Sequence, residues 1–112
     1  DSLSPRDQLT LEIARMLRED FLQQNAFMDV DSYSSFDRQK RLMALILHYE
    51  DLCRDAIAKD VALTDLYTIP AREKLGWAKY AAADAYTENY QQVQTDMERE
   101  IAALIKKAGE EE

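Results

Sequence analysis

What this chain lacks leaves helices as its main structural option. Of 112 residues, only Gly76, Gly109, Pro5 and Pro70 belong to the two types that readily turn or break a backbone. No stretch alternates apolar and polar residues in the two-residue period of a half-buried strand. Apolar residues instead recur three and four apart, which lines them along one side of an α-helix. Leu9, Ile13, Met16, Leu17 and Phe21 form one such side. Leu42, Leu45, Ile46, Tyr49, Cys53, Ala56 and Ile57 form another, opposite Lys40, Arg41, Glu50 and Asp55. The pattern predicts an all-α fold, a helical bundle of four or five helices. Leu9, Ile13, Leu17, Leu42, Ile46, Tyr49, Cys53 and Trp77 are expected in its core.

Local signals set the expected boundaries. Ser4 caps the first helix, Pro5 takes a position where its missing N–H costs nothing, and Asp7 sits near the positive dipole end. The apolar pattern stops from Asn25 to Tyr33, which reads as a connecting loop. Ser34 or Ser35 caps the second helix. Thr64 and Asp65 cap a short third helix ending near Thr68. Pro70 opens a fourth, with Leu75 and Trp77 as its apolar contact. Ala81, Ala82 and Ala83 favour continuation, but a break near Lys79-Tyr80 is the preferred reading. Asp84 or Thr87 then caps a fifth helix through Val93, Met97, Ile101, Leu104 and Ile105. Residues 108–112, with Gly109 and three glutamates, form a frayed tail. One domain spanning 1–112 is expected, and because no start methionine opens it, a fragment of a longer protein.

The charge balance narrows the partners. Fourteen basic against 22 acidic residues give a net charge of −8, which repels phosphate backbones and anionic lipid. No nucleic-acid partner is expected. Without a run of 18 apolar residues or a signal-peptide pattern, a soluble domain with no direct membrane insertion is expected. A single cysteine excludes an internal disulfide and fits a reducing compartment. Cys53 lies on an apolar helix side and reads as a small buried hydrophobe. His48 has no second histidine or cysteine at ligand spacing, so no metal site is assigned.

Catalytic patterns are missing in the same way. A phosphate-cradling loop of the form G-x-x-x-x-G-K-[ST] needs glycines that Gly76 and Gly109 do not provide. His48 and Cys53 are five apart on one helix and do not face each other. Glu19-Asp20 and Glu50-Asp51 are adjacent pairs that diverge around a helix. No catalytic residue is assigned, and the chain alone is expected to be inactive.

One segment stands apart. Gln23-Gln24-Asn25-Ala26-Phe27, followed by Val30 and Tyr33, gathers neutral amides and aromatics where the helical pattern ends. Such a cluster suits a flat, uncharged, π-rich ligand such as a nucleobase, or else its aromatics simply plug the core. The literal run Arg18-Glu19-Asp20-Phe21-Leu22-Gln23-Gln24-Asn25-Ala26-Phe27 resembles the C-terminal region of the catalytic A subunit of V-type and archaeal A-type rotary ATPases. Asp1-Ser2-Leu3-Ser4-Pro5-Arg6-Asp7-Gln8-Leu9-Thr10 is similar to the family's acidic D-E-L-S-E-E-D-x-L-T segment. Gln39 to Met43, Tyr49, Ile69 to Glu73, and Lys79-Tyr80 follow in the family's order. Pro5 and Arg6 replace two carboxylates of the acidic segment, and Ser34-Ser35-Phe36 matches less well.

The resemblance implies a function for both ends of the first helix. Gln24, Asn25, Ala26, Phe27, Val30 and Tyr33 would form one wall of an adenine pocket. Phe27 would abut the base, and Ala26 would leave room for it. Asp1, Ser2, Leu3, Ser4, Pro5, Arg6 and Asp7 would bear on the central rotor, making the helix a lever between nucleotide and shaft. The implied cofactors are ATP/ADP with Mg in the intact subunit, with none expected on this chain alone. The implied partners are the B subunit and the central-stalk rotor subunits, in a cytoplasmic, peripheral part of a membrane-bound complex that moves H+ or Na+. The other reading of the residues is a stand-alone helical protein-interaction module with no nucleotide role.

Overall fold

The structure is a computed structural model that describes the backbone of residues 3–27 and 33–110, and side chains within 3–19 and 36–110. Among these residues it contains five α-helices and no strand: α1 (Pro5–Phe27), α2 (Tyr33–Ala58), α3 (Leu63–Tyr67), α4 (Pro70–Trp77) and α5 (Tyr86–Glu110). A 3-10 turn, Ala78–Tyr80, follows α4, so the chain does break between the fourth and fifth helices.

Five cross-links fix the directions. Arg54, near the end of α2, donates to Thr10 at the start of α1 at 2.7 Å, so these helices run antiparallel. Tyr86 donates to Asp37, and His48 lies 2.7 Å from Glu98, so α2 and α5 run parallel and in step. The Ala71 amide donates to Glu100 at 2.8 Å, and Lys74 to Asp96 at 2.9 Å, so α4 is antiparallel to α5. Helix α2 is thus the central element, packed along both α1 and α5.

The core follows the three-and-four pattern closely. Leu9, Ile13, Leu42, Ile46, Tyr49 and Cys53 are buried, and Leu17 packs partly buried against them. Trp77 is the exception, being 65% exposed and lying against Tyr80 with ring centroids 5.4 Å apart. The inward side of α4 and the following turn consists of Ala71, Leu75 and Ala78. The two alanines leave little side-chain bulk between α4 and its neighbours, while Trp77 falls off that stripe and points outward.

Several boundaries differ from expectation for identifiable reasons. Helix α1 continues to Phe27 rather than ending at Asn25. Leu22, Gln23, Gln24 and Ala26 are good helix formers, and a hydrogen-bond ladder needs no apolar partner to continue. Helix α2 starts at Tyr33, just ahead of the serines expected to cap it. Thr64 and Asp65 lie inside α3, whose preceding residue, Ala62, is extended and offers no side-chain cap. Helix α5 starts at Tyr86, between the two residues expected to cap it, and runs through Gly109 to Glu110. Helicity therefore extends into the stretch expected to fray.

Helix α2 stops without a glycine. Asp60 adopts φ 70°, a left-handed conformation that short polar side chains tolerate. Its amide donates to Ile57 at 3.1 Å, and the Val61 amide reaches back to Ala56 at 3.0 Å. These bonds satisfy the Ile57 and Ala56 carbonyls at the helix end, and the buried Val61 seals the end against the core.

Candidate functional site

The two segments singled out from sequence lie at the two ends of α1. At its start, Ser4 Oγ accepts from the Asp7 amide at 3.2 Å, and the Ser4 carbonyl accepts from the Gln8 amide at 2.9 Å. The Gln8 side chain donates to the Leu3 carbonyl at 2.9 Å. The serine–proline start therefore forms the cap expected of it, and Leu3, Ser4, Pro5, Arg6 and Asp7 are all exposed. Asp1 and Ser2 lie outside the described residues. Arg54 holds both Thr10 and Glu50, the latter at 2.6 Å, and so ties this end of α1 to the last turns of α2.

At the other end, Gln24, Asn25, Ala26 and Phe27 form the last turn of α1, and Tyr33 is the first residue of α2. Their side chains, and Val30 altogether, lie outside the described residues. The 23 residues of α1 span about 33 Å at a rise of about 1.5 Å per residue.

The middle of α1 is fastened to the body. Leu9, Ile13 and Met16 are buried. Glu12 pairs with Arg15 at 2.7 Å on its own helix and with Arg72 of α4 at 2.9 Å. Arg15 above all, and then Arg72, hold the Glu12 carboxyl below its usual range against the opposing effect of burial. A second node lies on α5. Lys74 first, then Gln92 and Arg99, hold Asp96 low. The Tyr86 hydroxyl does the same to Asp37, and His48 to Glu98.

These shifts give a pH dependence of definite sign. A carboxyl whose folded pKa is depressed contributes stability that is complete above its unfolded value and is lost as pH falls through the folded one. Stability is expected to stay level from neutrality down to about pH 5 and to decline below about pH 4, where ordinary carboxyls protonate. Urea midpoints measured across that range check this. Asp96→Asn should remove part of the acid sensitivity, and a gain in stability on acidification would contradict the assignment.

Other chemistry-bearing groups are structural. Cys53 is buried at the α2 core, and burial pushes its thiol up to about 11, leaving almost no nucleophilic thiolate at neutral pH. Tyr49, one turn earlier, donates to the Leu66 carbonyl at 2.8 Å and pins α3 to α2. Among the described residues, no three His, Cys, Asp or Glu side chains are grouped to hold a metal ion. A polar groove of about 400 Å³ runs between α2 and α5, lined by Arg41, Thr87, Tyr90, Gln91 and Gln94 among others. Of the residues assigned to the rotor contact, the described ones, Leu3 to Asp7, do not line it.

Sequence reasoning missed two roles. Glu100 caps α4 from 29 residues away, a pairing that local capping patterns do not signal. Arg38 is buried, donates to the Ala81 carbonyl and lies over the Tyr86 ring, guanidinium carbon 5.6 Å from the centroid. Arg38 stands four residues before the apolar run Leu42 to Leu47, and no local pattern marks it for burial.

A capped helix anchored to the core of an all-α bundle defines a helical domain. The chain belongs to the family described as the C-terminal domain of V and A type ATP synthase, whose model matches residues 1–67. It is 43% identical over 112 residues to the V-type ATP synthase alpha chain of Clostridioides difficile (strain 630), covering 100% of this chain and 19% of that protein. It is 41% identical over 107 residues to the V-type ATP synthase alpha chain of Acetivibrio thermocellus, covering 96% of this chain and 18% of the relative. A V-type ATP synthase alpha chain 1 from Clostridium tetani is 38% identical over 109 residues, 97% of this chain and 18% of its own. The chain thus spans about a fifth of the length of these relatives. No helix among the described residues is long and apolar enough to cross a membrane.

Proposed function

We propose that this chain is the C-terminal helical domain of the catalytic subunit of an ion-translocating rotary ATPase or ATP synthase, working as a lever between nucleotide and rotor. The end of α1, Gln24 to Phe27, together with Val30 and Tyr33, forms one wall of the adenine pocket. The other end, Asp1 to Asp7, bears on the central stalk. ATP or ADP with Mg is held at its phosphates by the remainder of the subunit, and the B subunit and rotor subunits are the partners. The observation that carries this reading is that the described parts of the two segments, Leu3 to Asp7 and Gln24 to Phe27, lie at opposite ends of one uninterrupted helix whose middle is locked to the core by Leu9, Ile13 and the Glu12–Arg72 pair. A lever needs that arrangement: stiffness along its length and a fixed fulcrum.

The test of the nucleotide end is Phe27→Ala in the full-length subunit. A single base–aromatic contact supplies about 1–3 kcal/mol, so nucleotide binding should weaken by up to about a hundredfold. The chemical step should remain comparatively intact, since the phosphates are bound elsewhere. Loss of kcat with unchanged nucleotide affinity would refute the wall assignment.

A further inference from the structure

Helix α2 has a second apolar side that nothing described here covers. Opposite the buried Leu42, Ile46 and Tyr49, it carries Phe36, Met43 and Leu47 at 66%, 39% and 40% exposure. Lys40, also exposed, lies between them. The positions 36, 40, 43 and 47 step by four, three and four, the spacing by which one helix packs lengthwise on another. They cover three turns, about 16 Å of helix. A hollow of about 250 Å³ lies along this side between Phe36, Gln39, Lys40 and Met43.

We propose that this outward seam is covered by an apolar helix carrying an acidic group opposite Lys40, supplied by the part of the same polypeptide that precedes this domain. The proposal rests on reading the chain as the C-terminal part of a longer subunit. The family is named for a C-terminal domain, which follows other segments of its polypeptide, and the chain covers only 19% of the 43%-identical relative, so about four-fifths of such a polypeptide lies outside the matched part. A tethered segment acts at an effective concentration that can reach about millimolar, well above that of a free partner. A second copy is disfavoured, because it would bring together two chains of net charge −8 each. A lysine within an apolar seam costs stability unless an acid meets it, and it then helps select partner and register.

Thiol labelling of the full-length polypeptide, purified without any other subunit, tests this. Met43→Cys and Leu47→Cys should react with a maleimide more than about tenfold slower than the same variants unfolded in urea. Asp55→Cys, on an exposed residue further along α2, sets the rate of an open site, and the native Cys53 is buried. Labelling of the two seam positions at the open-site rate overturns the proposal. So does protection that appears only on assembly with other subunits, which assigns the seam to a neighbour. Protection that grows with polypeptide concentration also overturns it, by assigning the seam to a second copy. None of these readouts depends on nucleotide, so the seam and the adenine wall stand or fall separately.

Discussion

Tyr49→Ala is expected to destabilise the domain by about 3–5 kcal/mol, the range for removing a fully buried aromatic ring. Tyr49 has no exposed surface, and its hydroxyl supplies the bond to Leu66 that joins α3 to α2. Against a total stability of about 5–15 kcal/mol for a domain, the loss is a large fraction. Tyr49→Phe should cost only about 1 kcal/mol, because the ring stays and one neutral hydrogen bond goes. Trp77→Ala is the contrasting case. It removes the chain's largest side chain, yet at 65% exposure it should change stability by no more than about 0.5 kcal/mol. Urea unfolding of the three variants ranks them. A Trp77→Ala cost equal to that of Tyr49→Ala would mean that the indole is packed and the core is drawn wrongly.

That contrast shows which parts of the fold were legible. Leu9, Ile13, Leu42, Ile46, Tyr49 and Cys53 are large or plainly apolar and recur at helical spacing, so their burial could be read from periodicity. Helix α4 is short, and apart from Leu75 the inward side of it and of the turn that follows is made of Ala71 and Ala78. Small residues give a weak hydrophobic signal, and Trp77 drew the prediction to itself. The Ser4–Pro5 start was legible because its cap is local in sequence. The α4 cap was not, because its carboxylate comes from Glu100 on another helix. The sequence marked Asp60 to Leu63 as the exit from α2, but not the left-handed conformation, usually taken by glycine, in which Asp60 makes it. The candidate site rests on a different kind of signal. Periodicity left Asn25 to Tyr33 open between ligand wall and core plug, and only the literal strings at the two ends of α1 pointed to nucleotide and rotor.

Replacing Leu9 and Ile13 together with alanine in the full-length subunit is expected to uncouple ATP hydrolysis from rotation in the reconstituted complex. Both are buried where α1 grips the body, and each truncation costs about 2–5 kcal/mol of packing. A helix loosened at its fulcrum yields instead of pushing. Hydrolysis should continue while rotation stalls, which separates a slack lever from an unfolded subunit that has lost both. Neutralising Asp1 and Asp7 should leave rotation nearly unchanged. Pro5 and Arg6 already leave only two carboxylates beside one base in this segment, and Asp7 and Arg6 are exposed. Exposed ion pairs contribute about 0–1 kcal/mol and are screened by salt, so on the proposed reading shape and stiffness carry the force at this tip. Single-molecule rotation decides between the two pictures. A stall produced by the two neutral substitutions alone would show that the tip works by charge, and full torque from the Leu9, Ile13 double variant would show that α1 is not the lever.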